Sequence, residues 1–187
     1  EVHYGESIDQ YQIDNEGVVV TTNTGRVLKA KLLVGADGAL SQVRQLAGVE
    51  LHQRPYRHTA IVAQVGTEKP HRQTARQRFL LSGPLAFLPL ADGRSSIVWS
   101  ADTRLAEQLM QCSDDVFKER LDVAFQNRLG DITSVSNRQH FVLVHRHAKR
   151  YIGQRVVLIG DAAHTVHPLA GLGANQGLAD AATLAEV

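Results

Sequence analysis

Apolar positions change spacing along this chain, and the changes mark out its elements. The runs at 18–22 and 27–34 read as strands, and Asn23-Thr24-Gly25 between them reads as a hairpin turn. The second run leads into Gly35-Ala36-Asp37-Gly38, a tight loop. Ser41 is then placed to cap a short helix through Leu46, ended by Gly48. Further strands are expected at 59–65, 78–81 and 141–144, and runs 85–90 and 96–100 flank the hairpin signal Asp92-Gly93. Leu105 and Leu109 are spaced to share one helix face, as are Phe117, Leu121, Phe125 and Leu129. Ser113 with Asp114 and Asp115 should cap and charge-match the start of the second of these helices. Near the end the texture changes. Residues 155–160 are a continuous apolar run after Arg155, as in a strand covered on both faces by helices. A glycine- and proline-punctuated loop follows, then a small-residue helix from about Ala174.

Composition adds limits to this picture. The 187 residues suffice for one domain or parts of two, and 43% apolar with 21% charged residues is ordinary for a globular protein. A net charge of +1 without a run of one sign argues against nucleic-acid binding. Cys112 is the only cysteine, so no internal disulfide can form, and a reducing, cytoplasmic setting is the default expectation. No apolar run approaches the roughly 18–20 residues that a membrane-spanning helix needs. The chain opens on Glu1 and closes on what reads as helix interior, so a piece of a longer protein is expected.

Three segments offer chemistry. In the first, Gly160-Asp161 follows a buried strand, and ligands of open α/β sheets bind outside such carboxyl ends. Asp161 is equally suited to accept hydrogen bonds from sugar hydroxyls and to cap its own loop. In the second, Gly171 and Gly173 permit close backbone approach, and the helix start directs free N–H groups and a positive dipole end at a ligand. A plain glycine turn that packs the helix accounts for it as well. The nicotinamide-type fingerprint is excluded, because ten residues separate Gly160 from Gly171. In the third, Asp37 and Gly38 lie at a strand-to-helix turn with Ser41 and Arg44 on the first turn. Arg44 could meet a phosphate or hold Asp37, but unaided the segment reads as a capping aspartate and a surface arginine. His164 and His167, or His145 and His147, lack the further ligands of a metal site, so none is expected.

Together these segments resemble the flavoprotein aromatic hydroxylases of the para-hydroxybenzoate hydroxylase type. Gly35-Ala36-Asp37-Gly38 with Ser41 and Arg44 is similar to that family's second flavin motif, and Gly160-Asp161-Ala162-Ala163-His164 to its third. The run from His167-Pro168-Leu169-Ala170-Gly171 through Gly173, Asn175 and Gly177 to Asp180 resembles the signature of the ubiquinone-biosynthesis branch. Gly83-Pro84-Leu85-Ala86-Phe87-Leu88-Pro89-Leu90 is also typical of that branch. Leu172 departs from it, standing where glutamine is common.

The resemblance implies an α/β (α+β) fold: a partial FAD-binding Rossmann-like domain from 1–48 and 153–187, with an inserted sheet-plus-helices substrate domain at 49–152. The strand at 156–159 should lie beside the one ending at Val34, or one strand removed. The N-terminal Gly-x-Gly-x-x-Gly unit of the family has no match here. The implied roles are specific. Asp161, after Gly160, would bond the flavin ribitol. Backbone from Gly171 through Leu172, Gly173 and Ala174 to Asn175 would face the pyrimidine end of the isoalloxazine, with Pro168 beside the ring. Asp37, Gly38 and Arg44 would lie by the pyrophosphate and the path of NADPH or NADH. The implied reaction adds one oxygen atom of O₂ to a phenolic ring by way of a flavin C4a-hydroperoxide. The implied substrate is a polyprenylated ubiquinone precursor. Peripheral association with the inner membrane or with a biosynthetic complex goes with that substrate. Leu85, Phe87 and Trp99 on the apolar hairpin are the candidate substrate wall, with a sheet core packed on the 117–129 helix as the rival reading. Two further alternatives stay open: a related enzyme for a soluble aromatic such as salicylate, and a binding module without activity.

Overall fold

A computed structural model describes residues 1–168 and 171–187. In chain order the elements begin with β1 (Ile8–Ile13), β2 (Val18–Thr22), β3 (Val27–Ala30), β4 (Leu33–Gly35), α1 (Gln42–Leu46) and β5 (Leu51–Thr67). Next come β6 (Arg76–Leu80), β7 (Gly83–Pro89), β8 (Ser95–Asp102), α2 (Thr103–Gln111), α3 (Asp114–Phe125) and β9 (Ile132–Val135). Then follow β10 (Gln139–Ala148), β11 (Ile152–Gly153), β12 (Val156–Leu158), a 3-10 turn at Gly160–Ala162, β13 (His164–Thr165) and α4 (Leu172–Glu186). The chain forms two compact units, one of Glu1–Arg54 with Val144–Val187 and the other of Pro55–Leu143.

In the first unit, β1, β2 and β3 form an antiparallel sheet. Gly25, at φ 82°, closes the β2–β3 turn as Asn23-Thr24-Gly25 suggested. A second sheet has the order β11-β12-β4, with β12 parallel to β4 and Leu158 opposite Gly35. The strand after residue 155 therefore lies directly beside the one ending at Val34. Val156, Val157 and Leu158 are all buried, which explains the unbroken apolar run. A Cβ on Gly35 would stand 2.7 Å from Leu158 Cδ2 and 2.9 Å from Val43 Cγ1, so only glycine lets α1 sit this close to the strands. Val43, Val156, Leu158, Ala148 and Ala163 form this unit's core.

The single strand expected at 27–34 is two. Val27–Ala30 pairs with β2, whereas Leu33–Gly35 pairs with β12, and the change of partner breaks the strand at Lys31-Leu32. The pattern also missed β1, whose apolar positions are interrupted by a bulge between Ile8 and Gln10.

The second unit is an antiparallel sheet in the order β5-β8-β7-β6, with β9 on the end of β5. Alternation along β8 points Ile97, Trp99 and Ala101 to one face, where Leu85 and Phe87 of β7 join them. Leu109 of α2 and Phe117, Leu121 and Phe125 of α3 pack on that face. Each of these large side chains contributes about 1.5–3 kcal/mol of burial. Asp102 caps α2 through Leu105 N–H, and Ser113 caps α3 through Val116 N–H. Leu129 is in the core but not on the helix, as its spacing had suggested. α3 stops at Phe125, Gln126 turns left-handed at φ 57°, and the chain doubles back.

Candidate functional site

The candidate cofactor residues gather in the first unit, on the loops that leave β4 and β12 and on the start of α4. After β4, the Asp37 carboxylate accepts hydrogen bonds from Ser41 Oγ at 2.5 Å, Gln42 N–H at 2.7 Å and Val43 N–H at 3.0 Å. Partial burial raises its pKa, but the Ser41 and backbone donors outweigh that and hold it below the usual aspartate value. Ser41 Oγ in turn accepts from Arg44 N–H at 2.9 Å. Asp37 is thus a helix cap, the plainer of the two readings its sequence allowed. Gly38 takes φ 82° in the same loop.

Arg44 is not a surface residue. It is 4% exposed, and its guanidinium donates to the carbonyls of Ala162 at 2.8 Å and Ala39 at 2.9 Å. It ties the Asp37-Gly38 loop to the turn after β12. The partners are main-chain oxygens, so no side chain in the sequence advertised the pairing.

β12 ends where Ile159 N–H bonds the Gly35 carbonyl at 3.0 Å. Gly160 then adopts φ 57° and opens the 3-10 turn. Ala162 and Ala163 are buried, whereas Asp161 between Gly160 and Ala162 is exposed to solvent. The turn packs closely on α4, because a Cβ on Gly177 would lie 3.3 Å from Gly160 Cα.

Asp180 is a site residue whose role the sequence did not disclose. Its Oδ2 accepts from Gly160 N–H at 2.8 Å and pairs with His164 Nε2 at 2.7 Å. Only its place in the 167–180 signature had drawn attention to it.

α4 begins at Leu172, two residues before the expected Ala174. Gly171, at φ 67°, is its N-cap and supplies no side-chain hydrogen bond. The first-turn N–H groups of Leu172, Gly173 and Ala174 are left without a side-chain cap, and such groups suit an anion or a polar ring edge. Leu172 and Asn175 are exposed, as is Pro168. Leu169 and Ala170 of the signature lie outside the described residues.

The proposed substrate wall needs correction. Leu85 and Phe87 are 0% and 1% exposed and face the helices of the second unit. Phe87 stacks on Phe125 with ring centroids 3.9 Å apart, and Trp99 lies 6.3 Å from Phe117. Alternation allowed one face for core and one for a ligand, and these side chains occupy the core face. Ala86 and Leu88 point to the other face. Trp99 also borders a cleft of about 820 Å³ with Phe79, Leu81, Leu105 and Val123, and neither Leu85 nor Phe87 reaches it.

Residues 5–187 match the family described as FAD binding domain. The chain is 42% identical over 173 residues to ubiquinone hydroxylase UbiL of Rhodospirillum rubrum, covering 92% of this chain and 40% of that protein. It is 40% identical over 163 residues to 3-demethoxyubiquinol 3-hydroxylase of Escherichia coli, covering 87% and 41%. Among solved structures it resembles PqsL of Pseudomonas aeruginosa in complex with 2-aminobenzoylacetate, with a TM-score of 0.81 and 28% identity over 97% of this chain and 52% of that one. The chain thus spans about two fifths of the length of these curated relatives. The match over residues 5–187 places this chain in the FAD-binding domain family.

Proposed function

We propose that this chain is the flavin-holding middle of an FAD-dependent monooxygenase that hydroxylates the phenolic ring of a polyprenylated ubiquinone precursor. One observation carries the reading. Asp161 stands exposed at the carboxyl end of a buried parallel strand, in the same compact unit as the Asp37 loop and the uncapped start of α4. The residues fit the group. A solvent-facing carboxylate suits a sugar-alcohol hydroxyl, and uncapped helix N–H groups suit the electron-rich pyrimidine edge of a reduced flavin.

In this reading Asp161 and Gly160 hold the ribitol. Backbone from Gly171 to Asn175 holds the pyrimidine edge, and Pro168 lies against the ring. Asp37, Gly38 and Arg44 shape the loop beside the pyrophosphate and the path of NADPH or NADH. Asp37 and Arg44 act by fixing that loop, since their polar atoms already bond within the chain. When bound, FAD supplies the redox chemistry with O₂, and the protein orients the ring and excludes water. The unit of Glu1–Arg54 with Val144–Val187, wider than the expected 1–48 and 153–187, serves as the flavin domain, and Pro55–Leu143 serves as the substrate domain. No described helix is long and apolar enough to cross a membrane. The enzyme works from the cytoplasmic side, at the periphery of the inner membrane and with other biosynthetic enzymes, where a polyprenyl substrate resides. The names of the two curated relatives support this substrate class.

A soluble aromatic is the second reading, favoured by the likeness to PqsL in complex with 2-aminobenzoylacetate. The test uses the full-length protein, reduced by NADH or NADPH in air, with a polyprenylphenol and with salicylate. Mass spectrometry should show one added oxygen on the polyprenylphenol. Hydroxylation of salicylate alone selects the second reading, and hydroxylation of neither rejects both.

A further inference from the structure

The 3-10 turn that presents Asp161 is held at both ends. Arg44 donates to the carbonyl of Ala162 at 2.8 Å, and Asp180 accepts from the N–H of Gly160 at 2.8 Å. The same Asp180 oxygen takes a second bond, from His164 Nε2 at 2.7 Å. His164 sits in β13, opposite His147 of β10, and its side chain is 12% exposed against 28% for Asp180. The Tyr151 ring lies 5.7 Å from that of His164, and its hydroxyl pairs with His147 Nδ1 at 2.9 Å. Burial and the nearby Asp180 carboxylate raise the Tyr151 pKa, so Tyr151 stays a neutral wall. Asp180 is thus held by two bonds on one oxygen, and it stands on α4, whose first turn is assigned to the flavin.

We propose that Asp180, oriented by His164, is a positioning residue that aims Asp161 at the flavin ribitol. This rests on the assignment of Asp161 to the ribitol. One carboxylate oxygen joins the two elements that must meet the cofactor together. The tight approach of Gly177 to Gly160 is the packing counterpart of that bond. Nothing in the arrangement needs Asp180 to touch the flavin. Its effect passes through the turn, as supporting groups commonly fix the side chains that do the binding.

The test is a double-mutant cycle on the full-length protein, reading FAD affinity by fluorescence titration for Asp161→Ala, Asp180→Ala and the pair. Asp180→Ala should weaken FAD about tenfold, and the pair should bind no more than about twofold worse than Asp161→Ala alone. Lumiflavin, which has no ribityl chain, should bind wild type and Asp180→Ala equally. A general loss of structure would move lumiflavin as well. Asp180→Asn, whose amide oxygen can accept both bonds, should recover most of the affinity. If Asp180→Ala does not fold, His164→Phe removes one of the two bonds and enters the same cycle. Multiplicative losses in the pair, or equal losses for FAD and lumiflavin, overturn the inference and leave Asp161 in place. If Asp161→Ala binds FAD as wild type does, the ribitol assignment itself falls, and this inference with it.

Discussion

Arg44 and Ala162 lie 118 positions apart in sequence, yet the Arg44 guanidinium bonds the Ala162 carbonyl at 2.8 Å. The same side chain bonds the Ala39 carbonyl, so one buried cation fastens the loops after the two parallel strands β4 and β12. Replacing it by methionine keeps most of the volume but strips both carbonyls of their donor. Burial denies the Ala162 oxygen water as a substitute, and the Ala39 oxygen is part-buried. We expect Arg44→Met to lower stability by about 2–4 kcal/mol, measured by urea unfolding of the full-length protein. A loss under about 1 kcal/mol, the net worth of an ordinary hydrogen bond, means that water reaches those oxygens and the fastening is not needed.

Asp37 predicts an acid limb. Its pKa in the folded protein is lowered, because the Ser41 hydroxyl and the α1 N–H groups favour the carboxylate more than partial burial opposes it. The stability it provides is therefore fully present above its ordinary value of about 3.9. It is lost as pH falls through the lowered folded value. The unfolding midpoint followed from pH 6 downward should fall less steeply in Asp37→Asn than in wild type. The asparagine carries no titrating group to release the cap. Parallel acid limbs in the two proteins count against Asp37 as the titrating cap.

Phe87 and Leu88 are neighbours on β7 that face opposite ways, one 1% and the other 42% exposed. Phe87→Ala removes a ring stacked on Phe125 and should cost about 3–5 kcal/mol of stability. Leu88→Asp lies on the other face and should cost less than about 1 kcal/mol. Thermal unfolding of both variants decides the assignment of faces, and the reverse order of costs would contradict it.

Local features were legible in the sequence. Ser41 and Ser113 cap helices, and Asp92-Gly93 turns a hairpin, because each works within a few residues of itself. The pairing of β12 with β4 was legible through the shared flavin motifs. What needed the fold was any choice of partner. Val27 to Val34 divides because its two halves serve different sheets, and hydrophobicity alone does not record which. Alternation gave β7 two faces without saying that Leu85 and Phe87 would meet α3. Arg44 and Asp180 both act through main-chain groups, which every residue carries, so their partners were invisible until the loops were placed.

Gly173 separates the stability of α4 from its proposed work. A Cβ built there meets nothing within 4 Å, and the residue lies in the first turn of a helix. Gly173→Ala should therefore leave the FAD-free protein as stable as wild type or up to about 1 kcal/mol more stable, through helix propensity alone. If the backbone at this turn faces the flavin, the same methyl group occupies the space where the ring must approach. FAD should then bind about tenfold more weakly or worse, a loss of at least about 1.4 kcal/mol. The two effects have opposite signs, so simple destabilisation cannot produce the pattern. Calorimetry of the FAD-free protein and a flavin titration read them separately. A variant that is more stable and binds FAD as well as wild type would place the isoalloxazine away from this helix start, and the ring would have to be held elsewhere.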